Sequence, residues 1–224
     1  MVNFKDKDLI IFDFDGTLIN SIPDLTLAIN KMLAHYNAPP LTIEDVTPFI
    51  GNGAKPLVKR AIIRAMPDTD LSDTFLEEAF NVYFSAYKAE TCKDTFMYPG
   101  VLETLKYLKS KGYTLVICTN KPYGFIAPIL ETLGIKDYFK TWVGEDSLPK
   151  KKPDALPLLH LVETMQTTVA KSVMVGDSKN DILAAQHAKM DSIGVSYGYN
   201  YNENIADYNP TVVANQFADL QDLF

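Results

Sequence analysis

Two acids lie two positions apart, Asp13 and Asp15, between the apolar run Leu9-Ile-Ile-Phe12 and Gly16-Thr17. Carboxylates this close raise each other's pKa or demand a cation. One reading is a solvated turn between a strand and a helix, where acids are common. The other makes Asp13 a covalent nucleophile. Asp15 then gives a proton to the leaving alcohol and afterwards takes one from the attacking water. A second acidic cluster, Gly176-Asp177-Ser-Lys-Asn-Asp181, follows the apolar run Ser172-Val-Met-Val175. Asp177 and Asp181 suit either a capped helix start or convergence with the first pair on one crevice. Four carboxylates in one crevice are tolerable only around a divalent cation, and oxygen-only donors select Mg²⁺.

Two further segments supply groups that bind a phosphoryl oxygen. Thr119-Asn120 closes the apolar run Tyr113-Thr-Leu-Val-Ile-Cys118 and precedes a helix. It serves either as a helix cap or as a set of hydroxyl, amide and N–H donors to a phosphoryl group. The basic run Lys150-Lys151-Lys152 is either a solvated loop or the source of one neutralising cation. Lys152 is the candidate, because Pro153 after it holds the chain extended at the entry to a helix.

The elements that must position these residues follow from periodicity. Short apolar runs ending in polar loops are expected strands: Leu9–Phe12, Tyr113–Cys118, 139–143, Ser172–Val175, 192–195 and 211–214. Helical spacing links Val101, Leu102, Leu105 and Leu108, then Ile126, Ile129, Leu130 and Leu133, with further helices over 154–163 and 181–189. Alternating strands and helices indicate an α/β fold, a Rossmann-like parallel sheet with helices on both faces. Ligands bind such sheets at the carboxyl ends of the strands, which is where Asp13, Thr119 and Asp177 fall. Residues from about 20 to 90 read differently, as helices with no strand between them. One starts at Ser21 as N-cap and carries Ile22, Leu25, Ile29, Met32 and Leu33. A second follows Gly53, and a third carries Phe75, Phe80, Tyr83, Phe84 and Tyr87, aromatics whose spacing reads as packing. The expected organisation is a catalytic core of residues 1–17 and 95–224, with an all-helical cap, 18–94, inserted after the first strand. The loop Gly51-Asn52-Gly53 either starts a helix or faces the substrate, which makes Asn52 a candidate for specificity.

The 28 acids against 21 bases give a net charge of −7. That argues against the basic face a nucleic-acid partner would need. The N-terminal stretch is polar up to Asp8, and neither a signal peptide nor a membrane span is read, so the expectation is a cytoplasmic protein. Cys92 and Cys118 form no zinc-type pair or disulfide framework. His35, His160 and His187 fall on helices away from the strand ends, with no partner spaced for a metal or a triad. Tyr197-Gly-Tyr-Asn-Tyr201 reads as a surface loop that follows a strand and could border the site.

Asp13-Phe-Asp-Gly-Thr17, Thr119-Asn120, Lys152-Pro153 and Gly176-Asp-Ser-Lys-Asn-Asp181 occur in the order of the four motifs of the haloacid dehalogenase superfamily, which the chain resembles throughout its length. The resemblance implies that Asp13, the main-chain carbonyl of Asp15, and Asp177 hold Mg²⁺, with Asp181 supporting the metal. It also implies a helical cap between the first two motifs. An acid at position 15 points to the phosphatase branch. Asp15-Gly-Thr-Leu-Ile-Asn-Ser-Ile-Pro-Asp24, Ile50-Gly-Asn-Gly-Ala54, Gly144-Glu-Asp-Ser-Leu148 and Tyr197-Gly-Tyr199 further resemble the phosphoglycolate phosphatases, although Asn20 stands where they more often carry Asp. The implied reaction is hydrolysis of 2-phosphoglycolate to glycolate and phosphate. Pyrophosphate, a sugar phosphate or a nucleotide are alternative small phosphorylated substrates. A receiver-like module that stays phosphorylated is disfavoured, since Asp15 would speed hydrolysis. Oligomeric state is not legible.

Overall fold

The computed structural model describes residues 3–224; Met1 and Val2, assigned above to the core, lie outside the described residues. In chain order the elements are β1 (Leu9–Phe12), β2 (Ile19–Asn20), α1 (Ile22–His35), α2 (Ile43–Val46), α3 (Ala54–Ala65), α4 (Asp73–Ala89), β3 (Phe96–Met97), α5 (Val101–Ser110), β4 (Thr114–Cys118), α6 (Ile126–Thr132), β5 (Trp142–Val143), α7 (Leu156–Thr164), β6 (Ser172–Gly176), α8 (Lys179–His187), β7 (Asp191–Val195), β8 (Val212–Ala214) and α9 (Leu220–Leu223).

The first strand of the chain is central in space. Six strands form one sheet in the order β5-β4-β1-β6-β7-β8, and every neighbouring pair is parallel. All four residues of β1 are buried, as a strand covered on both faces requires. The period of two sorts its side chains. Ile10 and Phe12 join one apolar cluster with Leu115, Ile117, Val173 and Val175. Leu9 and Ile11 join the other with Val116, Met174, Leu158 and Ala184. The register aligns Phe12 with Ile117 on one side and Val175 on the other. Asp13, Thr119 and Asp177 therefore leave the sheet at nearly one level. That alignment turns three distant motifs into one site.

The insert is helical as expected. Ile29, Met32, Ala61, Ile62, Ala79 and Tyr83 are buried within it, and α1 packs along α4. Two features differ from the sequence reading. The chain crosses between insert and core on a two-stranded antiparallel ribbon, with Ile19 opposite Met97 and Asn20 opposite Phe96. Two-residue strands are too short to show a period of two. The expected strand over 139–143 is reduced to Trp142–Val143. Asp24, near the start of α1, fastens the return crossing: its carboxylate accepts from Asp94 N at 2.9 Å, Thr95 N at 2.9 Å and Thr95 Oγ1 at 2.6 Å. No helix among the described residues is long and apolar enough to cross a membrane.

Candidate active site

At the end of β1, Asp13 is buried, as are Asp177 and Asp181, and one carboxylate oxygen of each lies within 4.8 Å of those of the other two. Lys152 inserts an ammonium beside them, 2.9 Å from Asp13 Oδ1 and 2.5 Å from Asp181 Oδ1. Burial, then Asp181, push the Asp13 carboxyl up to about 7 against the opposing Lys152 ammonium. Burial, then Asp13 and Asp181, likewise hold Asp177 well above the carboxylate range. Burial pulls the Lys152 ammonium down, but the two aspartates outweigh it and hold it above the ordinary lysine value. One lysine does not neutralise three carboxylates. The surplus negative charge on an all-oxygen donor set fits a hard divalent cation such as Mg²⁺.

The roles of the acids separate by their hydrogen bonds. Asp13 Oδ1 is buried and accepts no aligned hydrogen bond. Asp177 accepts from Thr17 Oγ1 at 2.7 Å and Tyr199 N at 2.8 Å. Asp181 caps α8, accepting from Ser178 N and Ser178 Oγ at 3.0 Å through Oδ2, while Oδ1 meets Lys152. Capping and convergence on the cluster, alternatives in the sequence, are both true of Asp181. The backbone makes room for these carboxylates. Gly16, at φ +91, and Gly198 both pass so close to the Asp177 carboxylate that a Cβ on either would overlap it.

Asp15 does not join the triad through its side chain. Its carboxylate accepts from Ser21 Oγ at 2.5 Å and from Lys121 Nζ at 3.1 and 3.2 Å. Ser21 precedes α1 as expected, but its hydroxyl serves Asp15 instead of capping the helix. Lys121, absent from the sequence reading, is 2% exposed along its side chain and stands 4.9 Å from the centre of the Tyr87 ring. The available signal was its place directly after Thr119-Asn120 at a strand end.

Thr119 and Asn120 reach the site by different atoms. Thr119 Oγ1 accepts from Lys121 N at 3.1 Å, which leaves its own hydrogen to donate. The Asn120 side-chain amide donates instead to Gly51 O and Lys152 O, both at 2.9 Å. It thus ties the insert to the lysine loop. Asn52 does not line the cavity: its Oδ1 accepts from Arg60 Nη2 at 2.7 Å and Tyr201 Oη at 3.0 Å. Its neighbours Gly51 and Gly53 line the cavity in its place. Asn180 Nδ2 also donates to Gly51 O, at 3.0 Å.

Between insert and core lies a space of about 570 Å³, including its opening to solvent. Asp13, Asp15, Thr119, Asn120, Lys121 and Lys152 form its polar floor. Tyr83 and Tyr87, expected only to pack, form part of its wall. The Tyr197–Tyr201 loop borders the crossing ribbon: Tyr199 Oη accepts from Ser21 N at 3.0 Å, and Tyr197 Oη donates to Thr17 O at 2.8 Å. None of the three histidines lines the cavity.

Residues 10–195 match the family model described as haloacid dehalogenase-like hydrolase. A phosphoglycolate phosphatase of Psychrobacter arcticus is 45% identical over 219 residues, covering 97% of this chain and 95% of that one. One of Colwellia psychrerythraea is 40% identical, covering 98% and 97%. The crystal structure of a predicted phosphoglycolate phosphatase from Haemophilus somnus superposes with a TM-score of 0.92 at 38% identity, covering 97% of each chain. Agreement of that extent takes in the strand-end acids and the helical insert together, and on it this chain belongs to the haloacid dehalogenase-like hydrolases.

Proposed function

We propose that the chain is a Mg²⁺-dependent phosphomonoester hydrolase that works through an aspartyl phosphate on Asp13, with 2-phosphoglycolate as substrate. The observation that carries the reading is Asp13 Oδ1. It is a buried carboxylate oxygen without an aligned hydrogen bond, beside a lysine and on the floor of the cavity. The named relatives support the choice of substrate.

In this reading a carboxylate oxygen of Asp13 forms a bond to phosphorus as the ester P–O bond breaks. Asp15 supplies the proton to the departing oxygen, then takes one from the water that attacks the acyl phosphate. Lys152 and the Thr119 hydroxyl neutralise and hold the phosphoryl oxygens, and Asn120 contributes through its main chain, its side chain being committed to Gly51 and Lys152. Asp13, the Asp15 carbonyl and Asp177 would hold Mg²⁺. Asp181 supports from behind, its Oδ1 held by the Lys152 ammonium and its Oδ2 by the start of α8. Bound there, the cation supplies charge to offset the phosphoryl oxygens. Residues 18–94 act as a lid on the core, 1–17 and 95–224, with hinges near 17–20 and 90–98.

Phosphate release from a panel of small phosphomonoesters, with Mg²⁺ and with EDTA, tests this. The expected result is metal-dependent turnover with 2-phosphoglycolate the best substrate. Turnover that survives EDTA, or a sugar phosphate, nucleotide or pyrophosphate hydrolysed faster, would overturn the corresponding part.

A further inference from the structure

The cavity holds two lysines with different partners. Lys152 belongs to the phosphoryl end, paired with Asp13 and Asp181. Among the described residues lining the cavity, Lys121 is the one other cation. It is paired at 3.1 Å with Asp15, the acid assigned above to the leaving group. Much of the cavity wall is apolar: Leu25, Ile50, Ala54, Leu57 and Phe125 offer no side-chain donor. The wall's phenol donors are Tyr83 and, set apart by its unpaired hydroxyl, Tyr87. Its hydroxyl is buried without a hydrogen-bond partner, and its ring lies under the Lys121 ammonium. A buried hydroxyl left unpaired is costly unless something visits it. Burial first, then Asp15 and Asp24, hold that hydroxyl well above the ordinary tyrosine value, so it stays a donor.

We propose that Lys121 and the Tyr87 hydroxyl form a carboxylate-binding subsite at the leaving-group end of the cavity. The favoured substrates are then phosphomonoesters with a carboxylate one carbon from the ester carbon's oxygen. The inference rests on the phosphatase reading above and deepens it. The reach agrees: a single methylene places a carboxylate oxygen about 3 to 4 Å from the ester oxygen. Lys121 Nζ is 3.1 Å from the acid that must protonate that ester oxygen. A carboxylate that reaches Lys121 also competes with Asp15 for one ammonium. The right leaving group thereby frees Asp15 to turn to the ester oxygen, and a neutral one does not.

The test compares 2-phosphoglycolate with 2-hydroxyethyl phosphate, which is of the same length and lacks the carboxylate. The wild-type preference in kcat/KM is expected to fall by about 100-fold in Lys121→Met, the loss on 2-phosphoglycolate lying chiefly in KM. Tyr87→Phe leaves the Lys121–Asp15 pair in place and so separates loss of the subsite from the unpairing of Asp15. Lys121→Arg should keep most of the preference, and Tyr87→Phe should lose part of it. A wild-type enzyme that turns over both esters equally, or a Lys121→Met variant that keeps the preference, overturns the subsite. If neither ester is hydrolysed, the phosphatase reading fails by itself. The subsite is then read by titration calorimetry with glycolate. Heat with the wild type and none with Lys121→Met supports it; equal or no binding overturns it.

Discussion

Among the residues at the strand ends, Asp13 stands apart. Its Oδ1 accepts no aligned hydrogen bond, whereas the carboxylates of Asp15, Asp177 and Asp181 are each held by several donors. Asp13→Asn keeps the size of the side chain and removes one charge from a crowded acidic cluster. The fold should survive with its melting temperature intact, while phosphate release falls at least about 1,000-fold. Activity of more than a few per cent would exclude attack by this residue. Asp13, Thr119, Lys152 and Asp177 were legible as candidates because each follows closely on an apolar run or abuts a proline. Lys121 was not. A lysine one step further along looks like any solvated loop residue, and only the fold reveals that Tyr87 and Asp15 enclose it. Asn52 erred the other way. A polar residue between two glycines suggests a substrate contact, yet Arg60 and Tyr201 both reach its carbonyl oxygen and turn it from the cavity.

Helix periodicity located α1, α3 and α4, and apolar runs located β1, β4 and β6, because burial on one or both faces writes a repeat into the chain. The ribbon of β2 and β3 carries no such repeat. Its partners are brought together by Asp24, 70 residues distant in sequence from Asp94. Asp24→Ala should strip three donors of their acceptor and destabilise the protein by about 3 kcal/mol. Urea denaturation measures this directly, and a change below about 0.5 kcal/mol would show that the ribbon holds without it. Activity offers a second readout, since a loosened crossing should raise KM more than it lowers kcat.

At the scale of the molecule, a chain with net charge −7 gathers two buried lysines, Lys121 and Lys152, in one cavity. Both walls of that cavity matter: the core carries the acids and lysines, and the insert carries the tyrosines and the Gly51 loop. A core lacking residues 18–94, once shown to be soluble despite its uncovered apolar surface, should still cleave acetyl phosphate, whose leaving group needs little protonation. Its preference for 2-phosphoglycolate over bulkier esters should vanish; a capless core that keeps the wild-type ranking would place specificity in the core loops. The central position of β1 also has a consequence in time. Its two neighbours are β4 and β6, and β6 begins some 160 residues after Phe12. At about 5 to 20 residues per second of synthesis, β1 waits roughly 8 to 30 s for its second neighbour, while the insert is complete long before. Ribosome-bound chains arrested before β6 emerges should therefore show a protease-resistant insert and a Phe12 still open to chymotrypsin. Protection of Phe12 in those chains would mean that β4 alone suffices to seat it. Until β6 arrives, the Leu-Ile-Ile-Phe segment keeps one strand edge open for wrong pairing.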